Sequence, residues 1–407
     1  MNRMGALQGL RVANTELVMR CIESRPLSQA EIAIETGLSA PLVSSIVHQL
    51  VAEGVATTTP GVRNGRRATI VSVDVAITGT VAGVALERHG FRLATWSPHG
   101  VDLRWFPWDE AVAAQVEAEP HAGLRQVEAR LLELDRLDAV AMSAPGWSSS
   151  REMRPRFVTT SLALPRWWAP QSAVEELRSS LGCEVFTLND ASAAARAEHR
   201  MGAATAFTSF LYLYLSGGVG GALFIEGKMV DGDHGFAGEL GHIQVTENGP
   251  RCHCGNRGCL ELFVGEHALL EPLRRRSPAM AAATLDTLVE LASAGDPFCR
   301  RTLSEAGEDI GRALAQMLRF LDIRNAVVGG PLAEAGSVIV QPLREQVSRL
   351  SVFQPYDTED IAVTVTPGLL GADASAIGAM LLAAESVGMR SAPELKNTLF
   401  SRVGISA

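Results

Sequence analysis

The densest group of chemically capable side chains lies between residues 252 and 259, where Cys252-His253-Cys254-Gly255-Asn256-Arg257-Gly258-Cys259 gathers three of the six cysteines. A C-x-C-x4-C run offers three soft sulfur donors from one loop, and Gly255 and Gly258 let the backbone fold around a small ion. Zinc takes a fourth ligand to close a tetrahedron. His242, ten residues before the loop, is the natural candidate. His253 is the second candidate, cramped by ligands on both sides. Reduced surface thiols or a disulfide are the alternatives, and crowding of this kind in a chain without a visible secretory leader favours metal. With Cys252, Cys254, Cys259 and His242 all engaged no position stays open, so one structural Zn2+ per chain is expected rather than a hydrolytic one.

A second group of side chains reads as nucleic-acid chemistry. Arg63, Arg66 and Arg67 crowd a short stretch and suit phosphates or a minor groove. The elements that would position them fill residues 1–70. Leu17, Val18, Cys21 and Ile22 recur at helical spacing, and Pro26 stops that helix. Ser28-Gln29-Ala30-Glu31 reads as a capping box that opens a second helix running to about Thr36, where Gly37 ends it. Ser39 caps a third helix to about Glu53, with Leu42, Val43, Ile46, Val47 and Leu50 as its core stripe. A β-prone run at 55–59, a basic loop at 63–67 and a second run at 68–71 complete a wing. Three helices and a wing predict a winged helix-turn-helix. Its third helix would offer Ser39, Ser44, Ser45 and His48 to base edges, and the three arginines would meet the DNA backbone. A small helical bundle for protein contacts is the plainer alternative. The reading face carries no arginine or lysine, so base discrimination would lean on hydroxyls and His48.

Beyond residue 69 the pattern turns to strands. Runs at 69–74 and 80–86 are separated by residues 75–79, and further strands are expected at 138–144, 184–188, 207–215, 221–225, 325–328 and 361–366. Asn189-Asp190 and an alanine-rich helix follow the strand at 184–188. A long helix is expected at 307–322, with Ile310, Leu314, Met317, Leu318 and Leu321 on one face. One strand–turn–strand near 74 and another near 216 suggest a duplicated α/β architecture of two lobes, with a ligand in the cleft between them. Glycine turns between strands let backbone N–H groups face an anion, although glycine hairpins are also common without one.

Composition bounds what this can be. A chain of 407 residues exceeds one ordinary core and implies two or three domains. At 47% hydrophobic and 20% charged it describes a folded protein, and no apolar stretch reaches membrane-spanning length. A cytoplasmic protein with no membrane partner is expected. The net charge of −9 argues against a uniformly basic nucleic-acid coat. Yet residues 1–70 hold seven arginines against five glutamates and no lysine or aspartate, so that segment alone is basic.

Taken together these residues resemble the ROK family (repressors, open reading frames and kinases). Ala237-Gly238-Glu239-Leu240-Gly241-His242 looks like its E-x-G-H motif, Cys252 to Glu261 fits its C-x-C-G-x-x-G-C-x-E signature, and Asn189-Asp190 fits its N-D-A segment. The resemblance covers nearly the whole chain. It implies an α/β fold in which a winged helix-turn-helix precedes a two-lobed, actin/hexokinase-like domain. The implied limits are 1–70 for the DNA-binding module, 71–190 for a small lobe joined by a C-terminal helix at about 373–388, and 191–372 for a large lobe carrying the zinc loop. It further implies a sugar site of Asn189, Asp190, Glu239, His242 and Glu261. Carboxylates make strong charge-assisted bonds to sugar hydroxyls, and His242 can give one ring nitrogen to the metal and turn the other toward the ligand.

Departures from the family pattern decide between its branches. In family kinases Asp190 would be the catalytic base, but phosphoryl transfer also needs a phosphate cradle. The family's D-x-G-G-T turn is matched here to Asp74-Val75-Ala76-Ile77-Thr78, with both glycines gone. Its G-T-G-I-G turn stands as Ser216-Gly217-Gly218-Val219-Gly220, without the threonine; the pair Gly329-Gly330 is retained. Ala163 occupies the place of a sugar-contacting asparagine. The expectation is a transcriptional regulator, a repressor of operator DNA that responds to a small carbohydrate-like effector as a homodimer or homotetramer, with Asp190 a vestigial base. The alternatives are an ATP-dependent sugar kinase and a regulator that no longer binds sugar.

Overall fold

The computed structural model describes residues 14–15, 17–19, 21–22, 26–52, 55–63, 66–72, 79–110, 112, 122–146, 171–350 and 363–389. Two compact units are present, one of residues 1–80, 96–101 and 384–407 and a larger one of residues 81–95 and 102–383.

The first unit contains β1 (Leu27–Ser28), α1 (Gln29–Thr36), α2 (Ala40–Ala52), β2 (Thr57–Arg63) and β3 (Arg66–Ser72). The capping box forms as its sequence requires. The Glu31 amide donates to Ser28 Oγ at 3.3 Å, and the Ser28 amide donates back to Glu31 Oε2 at 2.7 Å. Gly37 stops α1 at φ 68, a left-handed conformation that costs glycine nothing. Val18, Ile22, Leu27, Ile32, Val43, Ile46, Val47 and Leu50 pack into one core, so the helices are held by their buried stripes. The sheet order is β1-β3-β2. Strand β2 runs straight through Pro60 and Gly61 to Arg63, pairing with β3 from Thr57↔Ser72 to Arg63↔Arg66. The expected basic loop is therefore mostly strand. Pro60 is tolerated because β2 is an edge, where a missing N–H removes no central ladder bond.

The larger unit contains two five-stranded sheets, each the floor of a lobe. The first has the order β6-β5-β4-β7-β8, from β4 (Thr80–Glu87), β5 (Gly90–Ser97), β6 (Gly100–Pro107), β7 (Leu137–Ala144) and β8 (Glu184–Asn189). Helices α3 (Ala122–Leu132) and α4 (Gln171–Leu181) accompany it, and Val84, Leu86, Phe91, Leu93, Val127 and Met142 lead its core. After β8 comes α5 (Asp190–Arg200).

The second sheet has the order β11-β10-β9-β12-β13, from β9 (Phe210–Leu215), β10 (Val219–Ile225), β11 (Lys228–Val230), β12 (Asn325–Gly329) and β13 (Thr364–Pro367). Hairpin-linked strands lead into parallel ones, β9–β12 and β12–β13, as β7–β8 are parallel in the first sheet. Every residue of β9 is buried, as expected of a central strand covered on both faces. Its helices are α6 (Glu261–Val264), α7 (Glu266–Arg274), α8 (Leu285–Ser293), α9 (Pro297–Leu321) and α10 (Ser337–Leu350), and α11 (Ala374–Ser386) closes the described chain. Helix α9 starts earlier than its apolar stripe suggested. Asp296 caps it by accepting from the Cys299 amide, and Pro297 occupies the first turn, where its missing N–H is no loss.

The run expected at 69–74 does not open the first lobe. Its described part, to Ser72, pairs with β2 in the wing, and residues 73–78, including the Asp74–Thr78 turn, lie outside the described residues. The first lobe starts instead with the hairpins β4–β5 and β5–β6, whose turns are Arg88-His89 and Pro98-His99. Strands β5 and β6 were not foreseen. Helix α11 lies so close to β4 that a side chain at Gly83 would collide with Ala376 O and Met380 N.

Candidate functional site

Asn189, Asp190, Glu239, His242 and Glu261 line one cavity, together with Pro145, Gly146, Ser216 and the glycine turn between β9 and β10. Five residues spread over more than seventy positions are thus brought to one place by three local devices. Asn189 ends β8 and caps α5. Its Oδ1 accepts from the Ser192 amide at 3.0 Å and its Nδ2 donates to Gly146 O at 2.8 Å. Asp190 follows in the first turn of α5 and is 8% exposed, with Oδ1 accepting from the Ala191 amide at 2.8 Å. Glu239 and His242 flank a short 3-10 turn, Leu240–His242. Glu261 opens α6, and its Oε2 accepts from the Val219 amide at 3.1 Å. A side chain at Gly218 would meet that same carboxylate oxygen and displace it.

Two carboxyls of the cavity, Asp190 and Glu239, are raised above the ordinary carboxylate range. Burial pushes Asp190 from 3.8 up to about 7, against the pull of the Ala191 amide, and Glu239 and Glu261 add to it by repulsion. Burial also raises Glu239, with His242 opposing and Glu261 reinforcing the shift. Three acidic groups in one small space are a natural receptor for several hydroxyls.

Beside the cavity, His242, Cys252, Cys254 and Cys259 bring their donor atoms within 4.8 Å of one another. Cys254 Sγ lies 3.6 Å from Cys259 Sγ, and Cys252 Sγ lies 3.6 Å from His242 Nδ1. A tetrahedral zinc with bonds of about 2.0–2.3 Å has ligand–ligand edges of roughly 3.5–3.8 Å, so the donor set fits that ion. Burial pushes the Cys259 thiol up to about 12, with the neighbouring sulfurs adding to it, and raises Cys252 as well. Thiolates in this loop therefore need a cation. The second nitrogen of His242, Nε2, faces away from the sulfurs toward Glu239 Oε2, at 3.7 Å. His253 sits between the cluster and the cavity, with Nδ1 3.8 Å from Cys252 Sγ and 3.9 Å from Glu261 Oε1. It also belongs to a second possible donor group with His242 and Glu261.

A second cavity of about 470 Å3 adjoins the first and shares Pro145, Asp190 and Ser216 with it. Its far wall is the β4–β5 hairpin, with Glu87, Arg88, His89 and Arg92, and Trp105 of β6. Sequence reasoning missed this wall. The available signal was a repeated His-Gly pair, His89-Gly90 and His99-Gly100, which marks two successive hairpin turns. The turn at 88–89 carries two large side chains where a phosphate cradle needs bare backbone. In the opposite turn the Val219 amide is taken by Glu261, and Ser216 N donates to Gly218 O. Arg92 is taken as well, by Glu87 at 2.8 Å and Asp373 at 3.2 Å.

In the first unit, Ser39 is exposed just before α2 and Ser45 and His48 are exposed along it, while Ser44 is half-buried with Oγ 3.5 Å from His48 Nδ1. Arg67 is exposed on β3. Arg63 is committed within the unit, donating to Pro26 O at 3.0 Å and lying 3.5 Å from Glu31 Oε2. Arg66 lies on β3. Ala163 lies outside the described residues. Among the described residues no single helix is long and apolar enough to cross a membrane.

Comparison with known proteins agrees with this geometry. A family model described as "ROK family" matches residues 125–386. The chain is 25% identical over 372 residues to the Escherichia coli K12 "DNA-binding transcriptional dual regulator NagC", covering 85% of this chain and 87% of that protein. It is 30% identical over 235 residues to a Thermotoga maritima glucokinase, covering 54% of this chain and 72% of the enzyme. Among solved structures, a ROK family transcriptional regulator described as a homologue of the E. coli MLC protein aligns over 97% of this chain and 99% of its own, with a TM-score of 0.69 at 21% identity.

Proposed function

This chain belongs to the ROK family, and from that premise we propose that it is a sugar-sensing transcriptional repressor. The observation that carries the reading is a pair of facts in one molecule. Asn189, Asp190, Glu239, His242 and Glu261 come together in one cavity, while in the adjoining one the turn at Arg88-His89 carries two large side chains and the Ser216 amide is taken by Gly218 O. Similarity to NagC over most of both chains supports the regulator branch.

In this reading residues 1–70 bind operator DNA. Ser39, Ser44, Ser45 and His48 face base edges, Arg66 and Arg67 neutralise phosphates, and Arg63 anchors the wing to α1 through Pro26 and Glu31. Zinc is held by Cys252, Cys254, Cys259 and His242 and supplies a fixed cross-link. That cross-link sets the ring of His242, whose Nε2 then supports Glu239 as an acceptor for sugar hydroxyls. Residues 71–190, with the C-terminal helix, and 191–372 act as the two lobes, and an effector that prefers one lobe arrangement shifts the population of the DNA-competent form. The protein works in the cytoplasm as a homodimer or homotetramer, since paired heads must match half-sites one helical turn apart.

The kinase reading is favoured by one observation. Asp190 stands at the junction of both cavities with its carboxyl near about 7, which suits a general base. A coupled assay with Mg-ATP and a sugar panel decides between the two. The proposal expects no turnover above background, and turnover that disappears in Asp190→Asn would replace it with the kinase reading.

A further inference from the structure

The cavity beyond Asp190 is not needed by a single sugar ring and is poorly suited to a nucleotide, yet it is large and built. Its volume of about 470 Å3 falls in the range of small-molecule sites. Acidic side chains Glu87, Asp190, Glu266 and Asp286 line it beside Arg88, His89 and Arg92, which is not the cationic lining a polyphosphate needs. Of its two guanidiniums, Arg92 is already paired with Glu87 and Asp373.

Two side chains lining that cavity are only partly engaged by the fold. Trp105 is 41% exposed although its ring lies against Arg92, with the guanidinium 5.0 Å from the ring centre. An indole left half-open in a cavity is a surface for a flat, partly apolar ligand. Glu266 is the opposite case. Its side chain is only 7% exposed, and its buried Oε1 accepts no hydrogen bond. His89 Nε2 at 3.5 Å and Arg274 at 3.7 Å are close enough for attraction but too far for good hydrogen bonds. Burial alone would raise this carboxyl, but His89, Arg88 and Arg274 outweigh it and keep it below the ordinary carboxylate range. Glu266 Oε1 is thus held by two long ion pairs and by no well-formed hydrogen bond, which leaves it able to accept from a ligand hydroxyl.

We propose that the effector site continues past Asp190 into this second cavity and takes a neutral glycoside longer than one ring, a disaccharide or an aryl glycoside. This rests on the sugar-sensing reading and deepens it. The first ring occupies the cavity of Asn189, Glu239, His242 and Glu261. The bridging oxygen passes Asp190, Pro145 and Ser216, which belong to both cavities. The second ring lies on Trp105, and its hydroxyls donate to Glu266 and Asp286.

The test is calorimetric titration of the full chain with free hexoses, pentoses and N-acetylhexosamines, then with disaccharides and nitrophenyl glycosides of the same sugars. At least one two-ring ligand should bind tenfold or more tightly than its parent monosaccharide. Trp105→Ala should remove that advantage and leave the monosaccharide Kd within about twofold, while Trp105→Phe retains most of it. Glu266→Gln should weaken the two-ring ligand alone. If monosaccharides bind and no two-ring ligand binds better, the extension is wrong and sugar sensing stands. If no sugar of either length binds, both fall together. Binding of Mg-ATP that Trp105→Ala weakens would also overturn the proposal, by giving the cavity to a nucleotide.

Discussion

Replacing Asp190 with asparagine changes how stability depends on pH, and the size of the change follows from the site. Asp190 is 8% exposed and its carboxyl is pushed from 3.8 to about 7, chiefly by burial. Between those two values the folded protein keeps a proton that the unfolded chain has lost. Stability from this group is therefore full below about pH 4, falls as pH rises through the window, and levels off above about pH 7. At about 1.4 kcal/mol per tenfold change, the carboxyl accounts for roughly 2–3 kcal/mol of stability lost between about pH 5 and pH 8. Asparagine preserves the shape and can still accept from the Ala191 amide, but it does not titrate. Glu87 is raised to about 7 in the same window, by burial and by Asp373 and Asp286 rather than by Asp190, so its share persists in the variant. The assay is urea unfolding at several pH values with the metal site saturated. The wild type should lose about 2–3 kcal/mol more than Asp190→Asn across that range. Parallel pH profiles for the two proteins would show that Asp190 is ionised at ordinary cost and that the burial argument is wrong.

Other perturbations test separate parts of the account. Cys254→Ser should abolish stoichiometric zinc by elemental analysis and lower the melting temperature; a full zinc content would remove the cluster as the metal site. Arg66→Ala and Arg67→Ala should each weaken binding to all DNA sequences and flatten the salt dependence by about one ion, read by anisotropy at several salt concentrations. Arg63→Ala should instead lower the stability of the winged unit, because it breaks the ties to Pro26 and Glu31; a flattened salt slope without destabilisation would return Arg63 to the DNA surface. Gly83→Ala places a methyl against Ala376 O and Met380 N, and should cost about 1–3 kcal/mol; an unchanged melting temperature would mean that α11 is free to move off β4.

Features written in local chemistry were readable from the residues. The Ser28–Glu31 capping box, the Gly37 stop, the buried stripe of α2 and the four donors of the metal cluster all depend on neighbours a few positions apart or on fixed spacing. Features set by long-range pairing were only half legible. Residues 68–71 read as the second strand of the wing and also as the start of a run to 74 in the body, and only the pairing with residues 57–60 decides for the wing. The residues matched to the phosphate turn, 74–78, lie outside the described residues, and the turn that lines the second cavity is the hairpin at 88–89. Strands β5 and β6 hid for a related reason. Phe91, Leu93, Ala94 and Trp96 are buried among polar neighbours, but the stretch is short and broken by turns, so periodicity alone gives little. The roles of Arg63 and Glu266 are tertiary in the same sense. Nothing in the residues beside Arg63 shows that Pro26 and Glu31 will claim it, nor that the carboxylate at 266 will be buried with an open oxygen.

The central claim is that sugar occupancy of the cavity at Asp190 controls DNA binding without phosphoryl transfer. Its most direct measurement is the affinity of the full chain for DNA fragments recovered by genome-wide mapping, titrated by anisotropy with and without a sugar that binds the protein, and with no nucleotide present. The account predicts at least a tenfold change in Kd on adding the sugar alone, and its loss in Glu239→Gln. An operator affinity that ignores every bound sugar, or that responds only when Mg-ATP is supplied as well, would contradict it.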